Sequence, residues 1–89
     1  MGNRDRAFRP GDRVQHFKRE TVDPNGTQYL YQIVGVATHS ESREPLMIYQ
    51  ALYDDYRLYA RPYDMFMSEV DREKYPDIKQ QYRFEKVEE

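Results

Sequence analysis

Met47-Ile48-Tyr49-Gln50-Ala51-Leu52-Tyr53-Asp54-Asp55-Tyr56-Arg57-Leu58-Tyr59-Ala60-Arg61-Pro62-Tyr63-Asp64-Met65-Phe66 is the stretch that decides the fold. It holds five of the nine tyrosines, so more than half of the chain's tyrosine rings are concentrated in one local unit. Aromatic and branched residues alternate with polar ones on both sides of Asp54-Asp55, the pattern of a β-hairpin. A two-residue or four-residue loop centred on the aspartates sets Tyr53 opposite Tyr56, Ala51 opposite Leu58 and Tyr49 opposite Ala60. Alternation then places Tyr49, Ala51, Tyr53, Tyr56, Leu58 and Ala60 on an inner face. Ile48, Gln50, Leu52, Arg57, Tyr59 and Arg61 go to an outer one. A three-residue loop would break this assignment.

Arg61-Pro62 ends the fourth strand, because proline cannot donate to a ladder. Pro62 also suits the first position of a short helix that carries Met65 and Phe66 onto the core. Upstream, Pro10-Gly11-Asp12 is turn chemistry and Arg13 to Phe17 forms a first strand. Asp23-Pro24-Asn25-Gly26 is a second turn. Tyr29 to Ala37 is the best second strand, and Gly35 inside it marks a bulge or sharp bend. His39 to Pro45 is a polar loop, and Leu46 to Tyr53 is the third strand. Downstream, Ser68 to Gln81 is polar and broken by Pro76, with helical turns expected near Asp71 and Asp77. Tyr82-Arg83-Phe84 supplies a last short strand. The expected class is mainly β: a small SH3-like barrel of four to five strands, one helical turn after the central hairpin, and a partly helical C-terminal connection.

A chain of 89 residues forms one domain with a modest core. Residues 1–7 lack apolar periodicity and are expected to form a disordered tail before a domain spanning 8–87. There is no cysteine, so neither disulfides nor thiolate metal sites can reinforce the fold. No run approaches the roughly 18–20 apolar residues of a membrane span, and no apolar run follows the first arginines, which points to the cytoplasm. The net charge of −2 is unevenly spread: residues 1–20 carry +3, residues 21–67 carry −3 and residues 68–89 carry −2. A nucleic-acid domain usually shows a strong basic excess. Here the basic cluster is Arg4, Arg6, Arg9, Arg13, Lys18 and Arg19, best read as a solvated end segment.

Several short motifs run in order along the chain: His16-Phe17-Lys18, Tyr31 with Val34 and Val36, and Ala37-Thr38-His39-Ser40-Glu41. Tyr49-Gln50-Ala51-Leu52-Tyr53, Arg61-Pro62 with Met65-Phe66, and Tyr82-Arg83-Phe84 complete the set. Through them the chain resembles, over roughly residues 8–87, a family of small bacterial domains of unknown function. The resemblance implies an SH3-like barrel and implies no activity. Two features depart from the family pattern: Asp54 stands where a hairpin glycine is frequent, and the connection from Lys18 to Tyr29 is longer than in the shortest members.

The residues offer few routes to catalysis. His39-Ser40-Glu41 has the residue types of a base, a nucleophile and an acid, but adjacent side chains point apart in a strand and do not face each other in a helix. A loop motif in which Ser40 or Glu41 caps backbone groups is the simpler reading. A metal site would need His16 and His39 to meet, with Glu41 or Asp54 as a third ligand. Acid–base work by a carboxylate pair needs one member buried, whereas Asp54 and Asp55 at a hairpin tip are solvated. No phosphate-binding glycine loop and no nucleophile elbow is present. No cofactor is implied.

Tyr59 between Arg57 and Arg61 is more informative, because tyrosine and arginine dominate interface hot spots. The leading expectation is a non-catalytic module that binds protein or peptide through His39, Ser40, Glu41, Arg57, Tyr59 and Arg61, as a monomer or weak homodimer. One alternative is RNA or single-stranded nucleic-acid binding through the basic N-terminal segment with Tyr59 as a stacking platform. Another is a small enzyme or enzyme subunit using His39 or His16. Truncating Leu58 or Phe66 to alanine is expected to cost about 2–5 kcal/mol. Asp54→Gly is expected to be neutral or stabilising.

Overall fold

The structure, a computed structural model, describes residues 7–87. The tail expected at 1–7 therefore lies, except for Ala7, outside the described residues. Five strands form one antiparallel sheet: β1 (Arg13–His16), β2 (Leu30–Thr38), β3 (Pro45–Ala51), β4 (Leu58–Pro62) and β5 (Phe84–Lys86). Their spatial order is β4-β3-β2-β1-β5, so β1 to β4 are a meander and β5 returns beside β1. β4 and β5 do not pair, so the sheet is open and keeps two edges. Both edge strands are short. Pro62 brings no donor to the end of β4, and β5 has three residues.

The open sheet is nevertheless strongly coiled. Four inter-strand spacings of about 4.8 Å would hold the edges of a flat sheet roughly 19 Å apart. Instead the Arg61 guanidinium of β4 lies 5.8 Å from the centre of the Phe84 ring of β5. One source of the bend is a bulge in β2: Ile33 pairs with Tyr49 and Gly35 with Ile48, so Val34 is the extra residue. Gly35 thus marks the irregularity its presence in a strand suggests.

The inward-facing positions of β1 to β3 form the core. Val14, Tyr31, Ile33, Met47, Tyr49 and Ala51 are buried, as alternation requires. Phe66 arrives from α1 (Tyr63–Phe66) and stacks flat on Phe84, with ring centres 4.0 Å apart. Tyr49 packs on both rings, at 4.9 and 5.4 Å. Met65, expected beside Phe66 in the core, points outward and is half exposed.

A further element, the 3-10 turn Phe17–Thr21, follows β1 where the sequence suggested more strand. The 71–79 stretch folds as turns and holds no helix. Asp71 Oδ1 accepts from the backbone N–H groups of Glu73 and Lys74, at 3.0 and 3.3 Å. Gln80, the one buried polar residue among the described residues, ties this stretch to β1. Its Nε2 donates to the carbonyls of Gln15 and Tyr82, at 3.1 and 2.9 Å, while Glu20 accepts from the backbone of Lys79 and Gln80.

The central hairpin departs from expectation in register. Ala51 N–H donates to the Arg57 carbonyl, so the loop is Leu52–Tyr56, an odd five residues. Gln50 lies opposite Leu58, Tyr49 opposite Tyr59, and Ile48 opposite Ala60. One residue of slip exchanges the faces of β4. Tyr56 and Leu58, expected inside, are 56% and 59% exposed. Arg57, Tyr59 and Arg61, expected outside, lie on the core side. The cause is the loop backbone, in which Asp54 and Tyr56 both adopt left-handed conformations, at φ 54° and 57°. An even loop on two aspartates does not anticipate a left-handed tyrosine.

Candidate functional site

Tyr59 stacks on Tyr49 with ring centres 5.7 Å apart and remains 42% exposed, half inside the concave face and half at its lip. Arg61 Nε donates to the Tyr49 hydroxyl at 3.2 Å, and its guanidinium covers Phe84. At the other end of the row, Arg57 pairs with Asp55 at 2.8 Å in full exposure, a contact that holds the guanidinium's pKa up and adds little stability. Arg57, just before β4, and Tyr59 and Arg61 within it therefore line the concave side, opposite to the outer face on which the sequence placed them.

The His39–Glu41 loop is not part of that row. It precedes β3, whereas Arg57 pairs near the end of β3, about 20 Å away along the strand at 3.3 Å per residue. His39 Nδ1 accepts from the N–H groups of Glu41 and Ser42, at 3.1 and 3.2 Å. The capping group is thus the imidazole, where Ser40 or Glu41 was expected. His16 and His39 stand at opposite ends of the nine-residue β2, so they share no ligand. Among the described residues no group of three His, Cys, Asp or Glu side chains could hold a metal.

What the sequence did not reveal is a pocket of about 230 Å³ on the concave side. Four cations line it: Lys18 from the 3-10 turn, Arg61 from β4, Lys74 from the 71–79 turns, and Arg83 just before β5. His16, Phe17 and Tyr75 form its aromatic wall, and Asp71 is its single carboxylate. Arg83 Nε donates to Ser68 Oγ at 2.9 Å, which fixes that guanidinium. Phe17 and Tyr75 lie 4.8 Å apart, and Lys18 Nζ sits 6.0 Å from the Tyr75 ring. None of the four cations forms an ion pair among the described residues.

His16 reports the electrostatics of this space. Burial, followed by Arg61, Lys18 and Arg83, lowers its pKa from 6.5 to about 4. Its Nδ1 accepts from Lys18 N–H at 3.1 Å, so the neutral ring carries its proton on Nε2. Across the core, burial and the 2.7 Å contact with the Tyr53 hydroxyl push the Tyr31 phenol well above its ordinary range. Arg61 was singled out in the sequence, but for the wrong face. Arg83 and Lys74 carried no signal beyond Arg83 standing beside the core-forming Phe84, and the folding of the 69–83 segment brings them in. Arg19 belongs to neither cluster, since its guanidinium donates to the carbonyls of Gln28, Pro24 and Gly26.

A family model described as "Protein of unknown function (DUF1653)" matches residues 12–86. The chain belongs to this family. Within DUF1653 the matched span runs from the start of β1 to the end of β5, and it includes every residue of the pocket and of the β4 row. No curated protein and no solved structure matches the chain. The family description assigns no activity.

Proposed function

We propose that this chain is a non-catalytic binding module that takes an extended segment of a partner protein along the β4 edge and the concave face beside it. The observation that carries this reading is the alignment of Arg57, Tyr59 and Arg61 on the concave side of an edge strand. An edge offers unpaired backbone groups to an incoming strand, and alternate side chains beside it supply specificity. Tyr59, already stacked on Tyr49, loses little freedom on contact. Arg61 gives the partner a reason to be acidic at that point. The exposed apolar surface of Leu58, on the opposite face of the same edge strand, and of Tyr56, in the loop before it, extends the contact along the edge. His39, Ser40 and Glu41 form the separate loop at the far end of β3 and serve as an outlying contact.

The order of strands, the meander and the helical turn between β4 and β5 support an SH3-like relationship, with the coiled sheet as its partly open form. Against an enzyme stand the engagement of His39 Nδ1 by backbone and the distance between the two histidines. Against nucleic acid as the ligand of this face stands the use of Arg19 within the fold. Placing a photo-crosslinking phenylalanine at Tyr59, and separately at the opposite-face position Gln32, tests the reading in lysate treated with ribonuclease. The expected result is crosslinking to a defined polypeptide from Tyr59 alone, lost when Arg57 and Arg61 are changed to alanine. Equal crosslinking from Gln32, or capture that ribonuclease abolishes, rejects it.

A further inference from the structure

We propose that the pocket enclosed by the end of β1, Arg61 of β4 and the 71–83 segment is a binding site for the phosphoryl group of a small phosphomonoester. This goes beyond the β4 surface and stands on different residues, Arg61 excepted. The first argument is charge. Lys18, Arg61, Lys74 and Arg83 line a space that holds a single carboxylate, Asp71, and none has an ion-pair partner among the described residues. Four like charges converging without counter-ions repel one another, and a dianion relieves that repulsion where a single carboxylate would relieve half as much.

The second argument is donor geometry. The hydrogen bonds of Arg61 and Arg83 run through their Nε atoms to Tyr49 and Ser68, which orients both guanidiniums. Their terminal nitrogens carry no hydrogen bond among the described residues, so each presents a fork of N–H donors suited to phosphate oxygens. Lys18 and Lys74 add mobile point charges. Neutral His16 adds one uncharged Nε2–H donor, its Nδ1 being occupied by Lys18 N–H.

The third argument is size. At about 230 Å³ the pocket is smaller than the roughly 300–1,000 Å³ of sites that enclose drug-sized ligands. It takes an anionic head group and leaves the remainder outside, where exposed Lys74 and Asp71 mark the opening and Tyr75 offers a ring face to the ester carbons. The same contacts accept free phosphate, and the ester is distinguished by its contact with Tyr75.

The test is a titration of the isotope-labelled full chain with glycerol 3-phosphate, inorganic phosphate and acetate, each at constant ionic strength and followed by amide and imidazole resonances. Glycerol 3-phosphate is expected to saturate the shifts of His16, Phe17, Tyr75 and Arg83, with Tyr75 responding less to inorganic phosphate and acetate producing little. Bound phosphate cancels part of the field of Arg61, Lys18 and Arg83, so the His16 pKa should rise from about 4 on saturation. Lys74→Ala, at an exposed position, should weaken binding about tenfold, while Asp71→Asn, which keeps the Oδ1 cap, should strengthen it several-fold. Tighter binding by a variant cannot come from a damaged fold. Shifts indifferent to Lys74 and Asp71, or equal responses to acetate and phosphate, overturn the proposal. Inorganic phosphate matching the ester at Tyr75 overturns the ester and leaves phosphate itself as the ligand.

Discussion

Changing Phe66 and Leu58 separately to alanine discriminates between the observed hairpin register and its one-residue neighbour. Phe66 is fully buried, stacked on Phe84 at 4.0 Å and packed on Tyr49 at 4.9 Å. Its truncation should cost about 3–5 kcal/mol, from lost transfer energy, the cavity left behind and two ring contacts. At roughly 0.05–0.15 kcal/mol per residue, 89 residues support a total of about 4–13 kcal/mol, so the variant loses a large share of its stability. For a domain of this size each kcal/mol moves Tm by about 4–8 °C, which places the loss at 12 °C or more. Leu58 is 59% exposed, so Leu58→Ala should stay within about 0.5 kcal/mol. Urea denaturation monitored by tyrosine fluorescence and circular dichroism measures both. A loss above about 2 kcal/mol for Leu58→Ala would refute the register and restore Leu58 to the core.

The loop makes a second case: Asp54→Gly and Tyr56→Gly should each be neutral or stabilising by up to about 1 kcal/mol, because both positions have positive φ. Thermal denaturation showing a loss for either would contradict the turn. Stability should also fall with acid through His16. The unfolded chain takes up a proton below pH 6.5 that the folded chain refuses until about pH 4, so the contribution is whole above pH 6.5 and is lost as pH falls through that window. Because the ring is partly exposed and faces Arg61, Lys18, Arg83, Lys74 and Asp71 across solvent, about 1–2 kcal/mol is expected, and His16→Gln should flatten the profile. Gln80→Ala should cost about 1–3 kcal/mol, since the carbonyls of Gln15 and Tyr82 lose their buried donor. A wild-type urea midpoint in that variant would show that water replaces the amide without loss.

The strands were legible because their residues alternate over enough length: Tyr31, Gln32, Ile33 in β2 and Met47 to Ala51 in β3 follow the period of two. Pro62 announced both the end of β4 and the start of α1, and Gly35 announced the bulge. The face of β4 was not legible, because it depends on whether the loop has an even or odd number of residues. Asp54-Asp55 reads equally well at the centre of several loops, and the left-handed Tyr56 has no local signature. The open sheet, with β5 against β1 in place of the closed barrel expected, was not legible either, since β5 reaches β1 through a connection whose turns depend on Gln80 and Glu20 finding distant partners. The pocket eluded the sequence for the same reason. Lys18, Arg61 and the segment carrying Lys74 and Arg83 are well separated in the chain, and it takes the coiling of the sheet to gather them.

The partner surface depends on Tyr59 and Arg61 facing the concave side and the phosphoryl pocket on Arg61 doing so, and nuclear Overhauser contacts across the hairpin measure that directly. The Ala51 to Arg57 hydrogen bond makes Gln50–Leu58 and Ile48–Ala60 the close pairs, with Cα atoms about 4.5 Å apart. Strong Hα–Hα contacts for those two pairs are the expected result. Contacts between Ala51 and Leu58, or between Tyr49 and Ala60, would turn the Arg57–Tyr59–Arg61 row outward and contradict the account.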